Sequence, residues 1–77
     1  MKKLMQHTAV KLLDVVAVLE DKPDLRLVSG QVGTVVEMLA PGVFEVEFLD
    51  SQGRTIGLAE LKRHELLLLR HETANAA

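Results

Sequence analysis

From Val43 to Leu49 the chain alternates without interruption, with Phe44, Val46 and Phe48 on one side and Glu45 and Glu47 on the other. A two-residue period of this kind predicts a strand with one dry face and one wet face, whereas a helix would scatter the same residues around its circumference. Gln31 to Leu39 forms a second β-rich run ahead of it. The turn residues Ala40-Pro41-Gly42 separate the two runs, and Asp50-Ser51-Gln52-Gly53 closes the second. Ser29 to Gly53 is therefore expected to form the hairpin on which the rest of the chain packs.

The flanking segments supply three further strands. Val15 to Leu19 is apolar throughout, and its valines favour a strand because β-branching restricts rotamers in a helix. Pro23 ends that neighbourhood, and the long connection to Gly30 carries Leu25, Leu27 and Val28, which can fold back over one end of a core. Arg54 to Leu61 is the fourth segment, with Gly57 marking a bulge or sharp bend. Lys62 to Glu65 suits a single 3-10 turn, and Leu66 to Leu69 forms the last strand. Propensity alone would draw residues 58–72 as one helix. Four consecutive leucines make no one-sided stripe, so strand, turn, strand is preferred. The expected architecture is all-β, a five-stranded SH3-like barrel with one short 3-10 turn before its last strand. It occupies residues 12–72, between a flexible arm at 1–11 and a disordered tail at 73–77.

Composition narrows the function. With 77 residues and no cysteine, the chain forms one small domain without disulfide or thiolate-metal support. Hydrophobic residues make up 48% of the sequence, enough for a core. Phe44 and Phe48 are its only aromatic residues, and both fall on the face expected to be buried, which leaves no ring for stacking bases. Eleven acidic and nine basic residues leave a net charge of −2 and no field to attract nucleic acid or anionic lipid. The N-terminal residues lack the apolar stretch of a signal peptide, and no apolar run is long enough to span a membrane. A cytoplasmic protein is expected.

Several blocks occur in order at compatible spacings: Leu13-Asp14-Val15-Val16-Ala17, then Gly30 to Glu37 (GQVGTVVE), then Phe44 to Phe48 (FEVEF), followed by Gly53-Arg54-Thr55. Over about residues 12–69 they resemble a bacterial domain family of unknown function, the one numbered four-nine-two-six. The resemblance implies an SH3-like barrel and no assigned activity. Gly30 to Val35 is also similar to the turn and strand of KOW motifs, which bind RNA or protein. Glu37, Glu45 and Glu47 stand where a phosphate-contacting surface would carry Lys or Arg.

Candidate chemistry is sparse. His64 and His71, with Glu65 and Glu72 beside them and His7 far away, lack the spacing of a metal site. Ser29, Thr34, Ser51 and Thr55 have no histidine–carboxylate set around them. Gly30 and Gly33 form a G-x-x-G that no helix follows, so turn formation and close packing explain them better than phosphate binding. No catalytic group, metal, cofactor or small-molecule ligand is expected.

Surface candidates remain. Glu37, Glu45 and Glu47 form an expected acidic face that would meet a basic partner. Leu66, Leu67, Leu68 and Leu69 must point alternately to opposite sides of a strand. One pair enters the core, and the other needs cover from the N-terminal arm or from another chain. Arg26, Lys62 and Arg63 are the candidate loop contacts. The preferred function is a non-enzymatic protein-interaction or self-association module, the small antitoxin- or inhibitor-like partner of a neighbouring gene product. A KOW-like nucleic-acid-binding domain is the alternative.

Overall fold

A computed structural model describes residues 9–69. Five strands form one antiparallel sheet: β1 (Val15–Val18), β2 (Val32–Ala40), β3 (Val43–Leu49), β4 (Thr55–Lys62) and β5 (Leu66–Leu69). Their order across the sheet is β4-β3-β2-β1-β5. Two 3-10 turns complete the described residues, Pro23–Leu25 in the β1–β2 connection and Arg63–Glu65 immediately before β5. The all-β, five-strand expectation holds, including the 3-10 turn before the last strand, and residues 58–69 are strand, turn, strand rather than one helix. The sheet is not a closed barrel, because β4 and β5 are its two edges and do not pair with each other. Among the described residues no helix is long and apolar enough to cross a membrane.

One face of the curled sheet holds the core. Val16 and Val18 of β1, Val35 of β2, Phe44, Val46 and Phe48 of β3, Ala59 and Leu61 of β4, and Leu66 of β5 are all buried in one cluster. The alternation in β3 is the cause: every second side chain is driven inward, each contributing roughly 1.5–3 kcal/mol when fully buried. Among the described residues, two outside the sheet cap this cluster. Val10 is only 4% exposed, so the core extends into the segment expected to be an arm, and Leu27 brings the β1–β2 connection down onto it.

Three bulges bend the sheet. On β2 the register with β3 skips Val36 and again Leu39, and on β4 it skips Ile56, beside the Gly57 that signalled a bend. Each extra residue kinks its strand and increases the local twist, which is how so short a sheet curls around one core. At Gly33 the curl brings backbones together: a Cβ there would lie 2.7 Å from Val46 Cγ1 and 2.8 Å from the Glu47 carbonyl oxygen. Only glycine fits.

Candidate functional site

The outer face of the sheet carries both expected surface candidates. Glu45 faces away from the core because Phe44 and Val46 face into it. Strict alternation from buried Val35 would turn Glu37 inward. The extra residue Val36 reverses that, so Glu37 stands opposite Glu45 on the outside. On the other flank Glu45 pairs with Glu60 of β4. Three carboxylates thus lie in one row across three neighbouring strands, and like charges directly opposite in a sheet are destabilising. Glu47, two residues along the same face of β3, accepts a hydrogen bond from the Thr55 hydroxyl. The structure places Glu37, Glu45 and Glu47 on one face of the sheet. It also adds Glu60, which sequence reasoning missed because the pairing of β4 could not be counted without its bulge.

The other half of the outer face is apolar. Leu66 enters the core and Leu68 packs against it, so Leu67 and Leu69 point outward. Leu67 pairs with Ala17, which in turn pairs with Val32, making a row across β5, β1 and β2. Leu67 and Val32 are 50% and 49% exposed, while small Ala17 is buried between them. The next row runs from Leu69 through Val15 to Thr34. The four leucines therefore divide, Leu66 and Leu68 towards the core and Leu67 and Leu69 towards the outer face.

Arg26, Lys62 and Arg63 do not form one cationic patch. Arg26 lies in the β1–β2 connection, beside the Gly57 end of β4. Lys62 ends β4, and Arg63 begins the following turn, where its guanidinium donates to the Leu66 carbonyl at 2.8 Å. Gly57 and Lys62 are five residues apart, about 16 Å of strand.

The β1–β2 connection is itself an ordered structure. The backbone groups of Lys22 and Leu27 hydrogen-bond to each other in both directions, at 2.8 and 3.1 Å, around the Pro23–Leu25 turn. Arg26 closes that turn in the left-handed region at φ 59°. Asp21 Oδ1 accepts from the Ser29 N–H at 2.9 Å. The Lys22 ammonium pairs with the Glu65 carboxylate and ties the connection to the turn before β5. Glu65 also accepts from the Lys62 N–H at 2.8 Å. The Lys22 hydrogen bond, then that backbone donor, hold the Glu65 carboxyl below its ordinary value. Lys22 is raised in turn, chiefly by its hydrogen bond to Glu65.

The remaining candidates have structural roles. The Ser29 hydroxyl donates to the Leu19 carbonyl at 3.2 Å. Thr34 and Thr55 lie in strands, and Ser51 sits in the turn where the Asp50 carboxylate accepts from the N–H groups of Gln52 and Arg54. Gly30 adopts φ 89° and Gly33 permits the close packing of β2 on β3, the roles assigned to them. His64 is exposed in the turn before β5, and no cluster of metal-ligating side chains occurs among the described residues. His7, His71 and Glu72 lie outside the described residues, as do most of the expected arm and the whole of the expected tail.

No curated protein and no solved structure matches the chain. A family model matches residues 12–68, most of its length and the same region in which the sequence blocks occur. The chain belongs to the family described as Domain of unknown function (DUF4926).

Proposed function

We propose that this chain is a non-enzymatic protein-interaction module, the small antitoxin- or inhibitor-like partner of a basic protein, and that it docks through the outer face of its sheet. The division of that face into two zones carries the proposal. Leu67, Leu69, Val15 and Val32 offer apolar surface to bury, and Glu37, Glu45, Glu47 and Glu60 offer charge to orient a partner. Apolar patches rimmed by polar groups are typical of interfaces, and complementary charge sets encounter rate and register. The carboxylate row works against folding. A partner's lysines and arginines would convert that cost into binding.

The partner this face fits has an apolar patch beside a cluster of Lys or Arg. A nuclease or other protein with a cationic working surface has that chemistry, and a small acidic domain seated on it would block access. The separation of Arg26 from Lys62 and Arg63, with carboxylates across the outer face, supports a protein partner over nucleic acid. The test is affinity capture by wild type and by Glu45→Lys, each with and without nuclease. A single basic protein retained through nuclease treatment by wild type and lost with Glu45→Lys is the expected result. Equal capture by both proteins would overturn the proposal.

A further inference from the structure

A second surface lies at the β4 edge and meets the outer face only at Leu58, the residue paired with Glu47. A groove of about 280 Å³ runs between the β1–β2 connection and the first half of β4. Leu25 and Arg26 form one wall, Ile56, Gly57 and Leu58 form the other, and the buried ring of Phe48 lies at its floor. The volume falls just below the roughly 300–1,000 Å³ of pockets that hold drug-sized ligands. It suits one or two side chains.

Three features give this groove an occupant. First, β4 is an edge strand, so alternate backbone N–H and C=O groups along it point away from β3, with no strand among the described residues to pair with. Natural edges are protected by charge, and here the charges, Glu60 and Lys62, sit only in the far half. Thr55 to Ala59 carries none, and its Ile56 and Leu58 are both 56% exposed. Second, a Cβ built on Gly57 would meet nothing within 4 Å, in contrast to Gly33. Glycine within a strand weakens it and often marks a place where another backbone approaches closely. Gly57 leaves that approach open. Third, Arg26 is the one charged residue lining the groove among the described residues, a cation on a molecule of net charge −2.

We infer that the groove takes an extended peptide segment of a partner protein by strand addition to β4, with an apolar side chain over Phe48 and a carboxylate on Arg26. Side chains on one face of an added strand are two residues apart, so the recognised segment has Asp or Glu two positions from Val, Ile, Leu or Phe. Main-chain hydrogen bonds to the β4 edge supply affinity, and the groove and Arg26 supply selectivity. The carboxylate distinguishes this peptide from the basic surface that suits the outer face.

The test is selection of random octapeptides displayed on phage against the full-length protein, with Gly57→Val as the depleting control. Valine is favoured in strands and fills the approach, and Gly57 has no positive φ for it to strain. Enriched peptides should carry the acid–apolar spacing. Their labelled synthetic copies should bind wild type and Glu45→Lys alike, and lose at least tenfold in affinity on Gly57→Val and on Arg26→Gln, with melting temperatures unchanged within a few degrees. Amide resonances of residues 55–61 should shift on titration. No enrichment over Gly57→Val, or enrichment of basic peptides, would overturn the inference. Concentration-dependent dimerisation abolished by Gly57→Val would overturn it in favour of a second copy as occupant.

Discussion

At Gly33 the backbones of β2 and β3 approach too closely for any side chain, since a Cβ would sit within 3 Å of three heavy atoms on β3. Gly33→Ala must push Val46 and Phe48 out of place, and overpacking of this kind costs about 1–3 kcal/mol. In a domain of this size that lowers the melting temperature by at least about 4 °C, which thermal denaturation followed by circular dichroism will show. Glu45 presents the opposite case. It is flanked by Glu37 and Glu60, and replacing it with lysine converts two repulsive pairs into two attractive ones. Glu45→Lys should stabilise the fold by about 0.5–1 kcal/mol in low salt. The gain should shrink in 1 M salt, where the screening length falls to about 3 Å. A Glu45→Lys protein less stable than wild type in low salt would mean that the carboxylates do not oppose one another.

Among the elements, the β1–β2 connection is tied to the turn before β5 by charge, through Lys22 and Glu65. The folded carboxyls of Glu65 and Asp50 lie below their ordinary values of 4.5 and 3.8, Asp50 chiefly through the Arg54 N–H. Their contributions are therefore complete above those values and are lost as pH falls through the depressed folded ones. The Lys22 contribution has the reverse sign: complete below 10.5, it is lost as pH rises through the raised folded value. The stability these three groups contribute should be constant between these limits and fall on both sides. Glu65→Gln keeps an acceptor for the Lys62 N–H but removes the charge, so its acid limb in chemical denaturation should be shallower than that of wild type. An unchanged acid limb would show that the pair does not hold the connection. The strands themselves were legible because alternation in β3 and the turn residues on either side are local signals. Gly57 announced the β4 bulge. The bulges at Val36 and Leu39 left no such mark, since Val35-Val36 is equally good strand sequence with or without an inserted residue, and Glu60 stayed hidden because its partner depends on the bulge at Ile56.

For the whole molecule, the curl of the sheet decides what is surface. Closure into a barrel depends on contact between β4 and β5, which lie at opposite ends of the strand order, and no local feature of the sequence specifies it. With the sheet open, the β4 edge is available and the outer face is one continuous surface, apolar over β5, β1 and β2 and, apart from Leu58, acidic over β2, β3 and β4. The division of Leu66 to Leu69 was legible from strand geometry alone. The joining of Leu67 to Val32 through Ala17 was not, because it required the register of three strands. Binding of a basic protein by this face, as proposed, is decided by tagged capture from lysate of the source cells, with and without nuclease, by wild type, Glu45→Lys and Leu67→Glu. Wild type should retain one dominant basic protein after nuclease, and both variants, each still folded, should lose it. Recovery of nucleic acid, of partners released by nuclease, or of the same protein by all three chains would contradict it.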